Sequence, residues 1–429
     1  MKQISDFNLN EWLNLLENRH QQEVQLGLER VRQVAKALDL LEVKAKVITV
    51  AGTNGKGSTV ATLEAIYHSA GYQIASFTSP HLLVFNERIK INQKPVSDKD
   101  LCKAFFFIEK GRGTIDLTYF EMTTLAALWH FKQQKLDLVI LEVGLGGRLD
   151  ATNIIDSDLA IITTIDLDHQ EYLGSTKEAI GFEKAGILRA NKPFVYADKN
   201  PPNSIIEQAS ALSAKGYFVG QDDSSSLSGD SLKFNFQNNC IYLPKPKLHI
   251  NSVIASLITS VLLKKDLPIN ASDWEQALKT ASMPGRLQVI KSQYSTLLDV
   301  SHNPQGTRHL AEFIRNFKPK NKVYAVFSAL SDKDIPELIG SLINSVDFWM
   351  PALLAGKRAS SKEELLKAFG LYGLSPTCYN NPLLAYEAAI AKAKPDDLIV
   401  VYGSFYTVAS VLPNIEGQTQ ECAVDKIPL

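Results

Sequence analysis

The nine residues AGTNGKGST, Ala51 to Thr59, decide how the rest of the chain is read. They resemble a phosphate-binding loop but depart from the common G-x-x-x-x-G-K-[ST] pattern. Gly55-Lys56 is followed by Gly57, the hydroxyl comes one place later at Ser58, and Val50 stands where the first glycine belongs. The neighbours give the loop its meaning. KVITVAG before it is a β-branched apolar run of the kind that fills a buried parallel strand. STVATLEAIYHSAG after it predicts a helix, with Val60, Leu63, Tyr67 and Ala70 on one face and Gly71 as its stop. A glycine turn between strand and helix aims several N–H groups at one point, where the helix dipole favours an anion. Lys56 adds a positive charge, so the turn is expected to hold phosphate.

Working outward, 429 residues with 45% hydrophobic content can bury large cores in two or three domains. Lys+Arg number 45 and Asp+Glu 46, which gives no overall bias toward nucleic acid or an anionic membrane. Cys102, Cys240, Cys378 and Cys422 are far apart with no C-x-x-C pair, as expected of a reduced cytoplasmic protein. The start, MKQISDFNLNEWL, has no apolar leader-like run, and no apolar stretch reaches membrane-spanning length. The expectation is a cytoplasmic monomer acting on small molecules, with neither nucleic acid nor membrane as partner.

Strand-like and helix-like segments alternate almost throughout. YQIASFTS, LDLVILEVG and DLAIITTID read as buried strands, and YFEMTTLAALWHFKQQ as a helix between two of them. Around Gln221–Leu243 the alternation breaks, and DDSSSLSGD followed by SLKFNFQNNCIYL predicts antiparallel strands at a sheet edge. Helices are expected over INSVIASLITSVLLKK and Ser272–Ser282. Beyond MPGR four more strands are expected, in STLLDVSHNP, NKVYAVFSAL, SVDFWMPALL and DDLIVVYGSF, with helices at Pro304–Asn316 and Leu383–Lys394. The fold class is therefore α/β: a P-loop-containing doubly wound domain over 1–283 and a smaller Rossmann-like domain over 284–429, hinged at Pro284-Gly285.

Several polar groups fall at expected carboxyl ends of strands, where open α/β sheets bind ligands. Glu142 ends LDLVILE and is suited to hold Mg²⁺ against a triphosphate. Asp166, Asp168 and His169 follow the next strand, where His169 is either a ligand or an ordinary surface residue. Ser79 in FTSPHL either offers its hydroxyl to the same metal or simply makes a Ser-Pro turn. Asp299 and His302 in DVSHNP repeat the placement in the second domain. Together these suggest a cleft in which each domain holds part of the substrate set.

The ordered set GTNGKGST, TSPHL, NERI, YFEMTT, EVGLGGRLDATN, DHQEYLG, EKAGI, PGR and DVSHNP resembles the folylpolyglutamate synthases. It is most similar to the bacterial bifunctional dihydrofolate synthase/folylpolyglutamate synthases within the Mur ligase superfamily. The resemblance runs from VQLGLERV to YGSFYTVAS, nearly the whole chain, and G-T-N-G-K-G-[ST] is that family's own phosphate loop. It implies ligation of L-glutamate to dihydropteroate and to reduced folates, with ATP as co-substrate and Mg²⁺, through an acyl phosphate.

By position, the resemblance implies nucleotide contacts from Thr53, Asn54, Gly55, Lys56, Gly57 and Ser58, and from Asn251, Arg286 and Asp299. Ser79, Glu142 and His169 resemble magnesium ligands. Lys56, Lys184 and His302 are implied in catalysis. Lys184 matches a lysine carbamylated in relatives, with an unmodified lysine on phosphate as the alternative. The pterin side is implied by Val24, Gln25 and Leu26, by Thr118, Tyr119, Phe120 and Glu121, and by Leu149, Asp150 and Ala151. His302 and Ser404 resemble positions near the incoming glutamate. Gln25 stands where bifunctional relatives often carry Asp, and a neutral amide there implies weaker pterin binding. A Mur enzyme acting on a UDP-linked muropeptide is the second ligase reading. A nucleotide switch is the reading from another class, although the base-reading Asn-Lys-x-Asp is absent.

Overall fold

The computed structural model describes residues 3–19, 25–292 and 294–424. It separates into two compact units, Met1–Ser282 and Met283–Leu429.

In the first unit eight strands form one sheet: β1 Lys46–Ala51, β2 Ile74–Phe77, β3 Ile89–Ile91, β4 Lys94–Pro95, β5 Leu138–Glu142, β6 Leu159–Ile162, β7 Phe194–Tyr196 and β8 Gly216–Phe218. Their order is β4-β3-β2-β5-β1-β6-β7-β8. From β2 to β8 neighbours pair in parallel, and β3 and β4 close one edge as an antiparallel hairpin. The short IKI and KP segments carried no strand signal in the sequence. β1 lies at the centre, with Val50 opposite Glu142 of β5 and Ala51 opposite Ile162 of β6. All but its first residue are buried, which is why its sequence is continuously apolar rather than alternating.

The helix Lys56–Ser69 follows β1 and is buried along almost its whole length under the helices Ile250–Leu262 and Ala271–Thr280. That encasement explains a sequence with no polar face. It also buries Glu64, whose carboxylate accepts from the Ser76 hydroxyl on β2 and pairs with Lys90 on β3 at 3.5 Å. The pairing ties the loop's helix to the strand that leads to Ser79.

One expectation is corrected here. The strands β9 Ser226–Ser228, β10 Ser231–Phe236 and β11 Asn239–Pro244 form a separate three-stranded antiparallel sheet and do not extend the main sheet's edge. The reason lies in β10, where Leu232, Phe234 and Phe236 alternate inward and are buried. Phe234 meets Trp274 of the helix Ala271–Thr280 edge-on, with ring centroids 5.7 Å apart. A two-faced strand pairing with an apolar side seats on a helix, whereas edge addition would leave that side in water.

The second unit has five strands, β12 Gln288–Lys291, β13 Ser295–Asp299, β14 Val323–Phe327, β15 Phe348–Pro351 and β16 Leu398–Tyr402, in the order β12-β13-β16-β14-β15. The four expected from sequence are parallel. β12 is an antiparallel addition beside β13 with no fully buried residue. Among the described residues no helix is long and apolar enough to cross a membrane.

Candidate active site

The glycine loop leaves β1 under tight constraint. Gly52 has φ +147°, and a Cβ there would lie 1.8 Å from Thr163 Oγ1. Gly55, at φ +89°, caps the helix Lys56–Ser69 from the left-handed region, and a Cβ there would lie 2.9 Å from Ser252 Oγ. Only glycine combines those backbone angles with such close approach. The chain after β6 then latches the loop. Thr53 N–H donates to Thr164 O (2.8 Å), Thr163 Oγ1 donates to Asn54 O (2.5 Å), and Thr53 Oγ1 exchanges bonds with the Asp166 backbone (3.1 Å). From the opposite side Ser252 Oγ donates to Gly55 O at 3.3 Å, which places its neighbour Asn251 in the helix turn that abuts the loop. Thr163, Thr164 and Ser252 were missed in the sequence. The only signal was a pair of hydroxyls just past a buried strand.

Two lysine side chains meet at one carbonyl. Lys56 Nζ donates to Gly52 O at 2.9 Å and to Thr53 O at 3.3 Å, and Lys184 Nζ donates to the same Gly52 O at 3.0 Å. Lys184 lies on the helix Lys177–Ala185 and is buried. Burial, and after it the Lys56 charge, brings its pKa down from the ordinary lysine value to about 7, against opposing pulls from Asp168 and Asp150.

Glu142 ends β5, buried, with Oε2 accepting from Ser79 N–H at 3.3 Å. Ser79 and Glu142 are thus side by side at the carboxyl edge. His169 lies beyond β6 in left-handed backbone (φ 49°) before the short helix Gln170–Leu173. Its side chain is 39% exposed and its Nε2 is 3.9 Å from Asp168 Oδ1. Among the described residues no three His, Cys, Asp or Glu side chains gather into a metal-holding group. One buried carboxylate with a neighbouring hydroxyl residue nevertheless fits Mg²⁺, which keeps water and phosphate ligands and needs only one or two carboxylates from protein.

The segments implied for the pterin also converge, except that Val24 lies outside the described residues. Arg30 Nη2 donates both to Gln25 O (3.0 Å) and to Glu121 Oε1 (3.0 Å), and Gly27 N–H donates to Leu149 O (3.4 Å). Leu26 is half-buried beside them. Thr118 and Glu121 form a reciprocal capping box on the helix Tyr119–Lys132. Phe120 packs against Phe77 with ring centroids 5.6 Å apart. Asp150 precedes Ala151, is fully buried, and accepts from Gly144 N–H (3.0 Å), Leu145 N–H (2.9 Å) and both Thr152 donors (2.9 and 2.6 Å). Burial raises its pKa while those bonds oppose the rise. Its carboxylate builds the loop 144–151. Arg30 was not singled out in the sequence, because nothing in its own neighbourhood marks a contact 91 residues away.

In the second unit Asp299 ends β13, with Oδ2 accepting from Leu287 N–H and Oδ1 from Ser301 N–H, each at 2.9 Å. The first bond holds the turn carrying Arg286, whose guanidinium lies over the Phe405 ring at 5.4 Å. The His302 ring centroid is 6.0 Å from that of Phe405. Its Nδ1 is 2.9 Å from Val300 O, and since a carbonyl only accepts, the ring carries a proton on Nδ1. Ser404 Oγ accepts from Thr407 N–H (3.0 Å) and bonds Thr407 Oγ1 (2.7 Å) as the last helix begins.

The Mur ligase middle domain family matches residues 50–255, and the Mur ligase glutamate ligase domain matches residues 285–405. The dihydrofolate synthase/folylpolyglutamate synthase of Escherichia coli is 39% identical over 408 residues, covering 95% of each chain. The solved structure of E. coli FolC in complex with DHPP and ADP has a TM-score of 0.93 at 38% identity, covering 98% of this chain and 100% of that one. A bifunctional folylpolyglutamate synthase/dihydrofolate synthase with Mn, AMPPNP and L-glutamate bound has a TM-score of 0.90 at 42% identity, covering 96% and 99%. The chain belongs to the dihydrofolate synthase/folylpolyglutamate synthase family of ATP-dependent, amide-forming Mur ligases.

Gly52→Ala tests the loop. The added methyl meets Thr163 and strains the backbone, so the loop must shift and Lys56 and Lys184 lose their shared acceptor. Nucleotide affinity measured by calorimetry is expected to fall at least about tenfold, with the far-ultraviolet spectrum retained. Wild-type affinity would mean the observed loop geometry is not the binding geometry.

Proposed function

We propose that this chain ligates L-glutamate to dihydropteroate, and to reduced folates, with ATP as co-substrate, as a cytoplasmic monomer on small molecules. The observation that carries the reading is the convergence of Lys56 and Lys184 on the Gly52 carbonyl at the mouth of β1. A charged Lys56, with the Lys184 amine beside it at a helix N-terminus, suits a phosphoryl group that gains negative charge as it transfers. Family membership supplies the reaction. The substrate carboxylate attacks the γ-phosphate, the resulting acyl phosphate is attacked by the glutamate amino group, and phosphate leaves as the amide forms. No protein nucleophile is needed, so this chain's residues act by position and charge.

In the first unit Thr53 to Ser58 and Asn251 are assigned to the nucleotide, and Ser79, Glu142 and His169 to Mg²⁺, which supplies charge neutralisation at the phosphates when bound. Gln25, Leu26, Thr118–Glu121 and Leu149–Ala151 are assigned to the pterin, with Phe120 as its stacking face and Asp150 shaping the loop. In the second unit Arg286 and Asp299 are assigned to the nucleotide, and His302 and Ser404 to glutamate. Domain roles follow, with ATP and pterin binding over 1–283 and the remaining contacts from 284–429.

Lys184 also has a carbamate form. A lysine with a pKa near 7 is substantially an uncharged amine at neutral pH, and that form adds carbon dioxide to give a carbamate. The sign of the pH effect follows from the lowered value: the folded chain disfavours the ammonium, so Lys184 costs stability below about pH 7 and the cost fades as pH rises toward the unfolded lysine value of 10.5.

Lys56→Ala is expected to lower turnover by roughly 10²–10³-fold in an assay of ADP release dependent on both glutamate and pterin. Turnover near wild type at saturating ATP would contradict the phosphoryl-site assignment, and ADP release without glutamate would favour a hydrolytic switch. For Lys184, native mass spectrometry in bicarbonate buffer is expected to show one added carbon dioxide that Lys184→Met lacks. The melting temperature of wild type should gain on that of Lys184→Met as pH rises from about 7 to 9 in carbon-dioxide-free buffer. An equal pH dependence of the two proteins counts against the lowered pKa. Gln25→Asp adds charge to a pterin hydrogen bond, which makes such bonds about twice as strong, and is expected to lower KM for dihydropteroate. An unchanged KM removes Gln25 from the pterin site.

A further inference from the structure

The NERI motif, Asn86 to Ile89, has no assigned role in the reading above, yet its two charged residues are committed to one loop. Thr78–Arg88 connects β2 to β3, and Thr78 N–H donates to Arg88 O at 2.9 Å, closing the loop at its base. Within it the Glu87 carboxylate accepts from three successive backbone N–H groups. Oε2 takes Leu82 and Oε1 takes Leu83 and Val84, each at 2.8 Å. Three short charge-assisted bonds on one carboxylate fix the path of a segment whose Leu83 and Val84 side chains are exposed and contribute little packing of their own.

Arg88 ties the same loop to the next element. Its Nε donates to His81 Nδ1 at 2.9 Å, and its guanidinium lies 5.5 Å from the ring centres of both Phe85 and Tyr119. A guanidinium N–H only donates, so His81 Nδ1 is the acceptor in that bond and the ring carries its proton on Nε2. Burial, then the Arg88 charge, pushes the His81 pKa down to about 4. Phe85 meets Tyr119 edge-on with centroids 6.1 Å apart. The loop begins at Ser79, beside Glu142, and ends against Tyr119, the first residue of the helix that carries Phe120 and Glu121.

We propose that Glu87 and Arg88 are positioning residues that make the loop 79–88 a single body joining the Ser79–Glu142 metal site to the Tyr119 end of the pterin site, so that divalent-cation binding and pterin binding are coupled. This rests on the assignment of those two sites under Proposed function. The coupling runs through backbone bonds and edge-on ring contacts, and neither residue is required to touch a reacting atom. By linkage, a cation that tightens pterin binding by some factor is itself bound tighter by that factor when pterin is present.

Full-length wild type, Glu87→Gln and Arg88→Lys are compared by calorimetry of dihydropteroate binding, with Mg-ADP and with ADP plus chelator. Glu87→Gln keeps the shape but turns one acceptor into a donor facing an N–H. Arg88→Lys keeps the charge but loses the planar group stacked on Tyr119. In wild type Mg²⁺ is expected to tighten dihydropteroate binding about tenfold. In both variants that factor should fall toward one, with ADP affinity within about twofold of wild type. Variants that lose melting temperature but keep the Mg²⁺ factor would show a merely structural role and overturn the proposal, as would a wild type with no Mg²⁺ effect. Should Glu87→Gln fail to fold, Arg88→Lys decides the matter. The ligation assay on wild type separates the two levels: an active wild type whose variants keep the factor sinks the coupling alone, whereas a wild type without glutamate ligation sinks the functional reading beneath it.

Discussion

The carbonyl oxygen of Gly52 accepts from Lys56 and Lys184 at once, and the arrangement of the first unit's carboxyl edge depends on that contact. Burial and the Lys56 charge disfavour the ammonium form of Lys184, so the carbonyl is shared between a charged lysine and one that is partly uncharged. The pair is held because each lysine arrives on a different packed element, Lys56 on the helix that follows the loop and Lys184 on the helix Lys177–Ala185. The carbonyl is aimed by a backbone conformation that only glycine adopts at such close approach to Thr163. The result is positive charge concentrated beside a helix N-terminus before any anion arrives, so the reorganisation needed on binding phosphate is small.

The carboxylates at the loops of the two units divide into two kinds. Asp150 and Glu87 in the first unit, and Asp299 in the second, accept backbone N–H groups from within a few residues up to a dozen away and thereby set loop paths. Glu142 is different. It ends a buried strand with a neighbouring Ser79 N–H at 3.3 Å, a long bond for a carboxylate, and its position suits a cation more than a loop. A mutation at either kind of residue would lower activity, but through different steps, and only comparison of binding constants with turnover tells them apart.

The segments assigned above to the pterin are assembled from separate pieces of chain. The capping box at Thr118–Glu121 and the Asp150 loop are each completed by short-range bonds. Arg30 then binds Gln25 and Glu121 together, and Gly27 reaches Leu149. Glu121 is 3% exposed and its partner Arg30 is more accessible, so the pair costs less desolvation than two buried charges would.

The sequence by itself determined the α/β class, the glycine loop and its helix, the strand ends carrying Glu142 and Asp299, and the family. Each of these is written in local pattern: an unbroken apolar run for a buried strand, glycines where the backbone must turn, and short motifs in a fixed order. Tertiary structure decided what depends on distant partners. The β9–β11 sheet left the expected edge because Phe234 and its neighbours found Trp274 on a later helix. β12 and the β3–β4 hairpin became strands through pairing alone, with too few residues to show a period. Thr163, Ser252 and Arg30 are ordinary in sequence and gained their roles only when folding brought them against the loop or the Glu121 carboxylate. The sharing of Gly52 by Lys56 and Lys184, and the lowered Lys184 pKa, likewise require burial and proximity across 132 residues of chain, which no local pattern encodes.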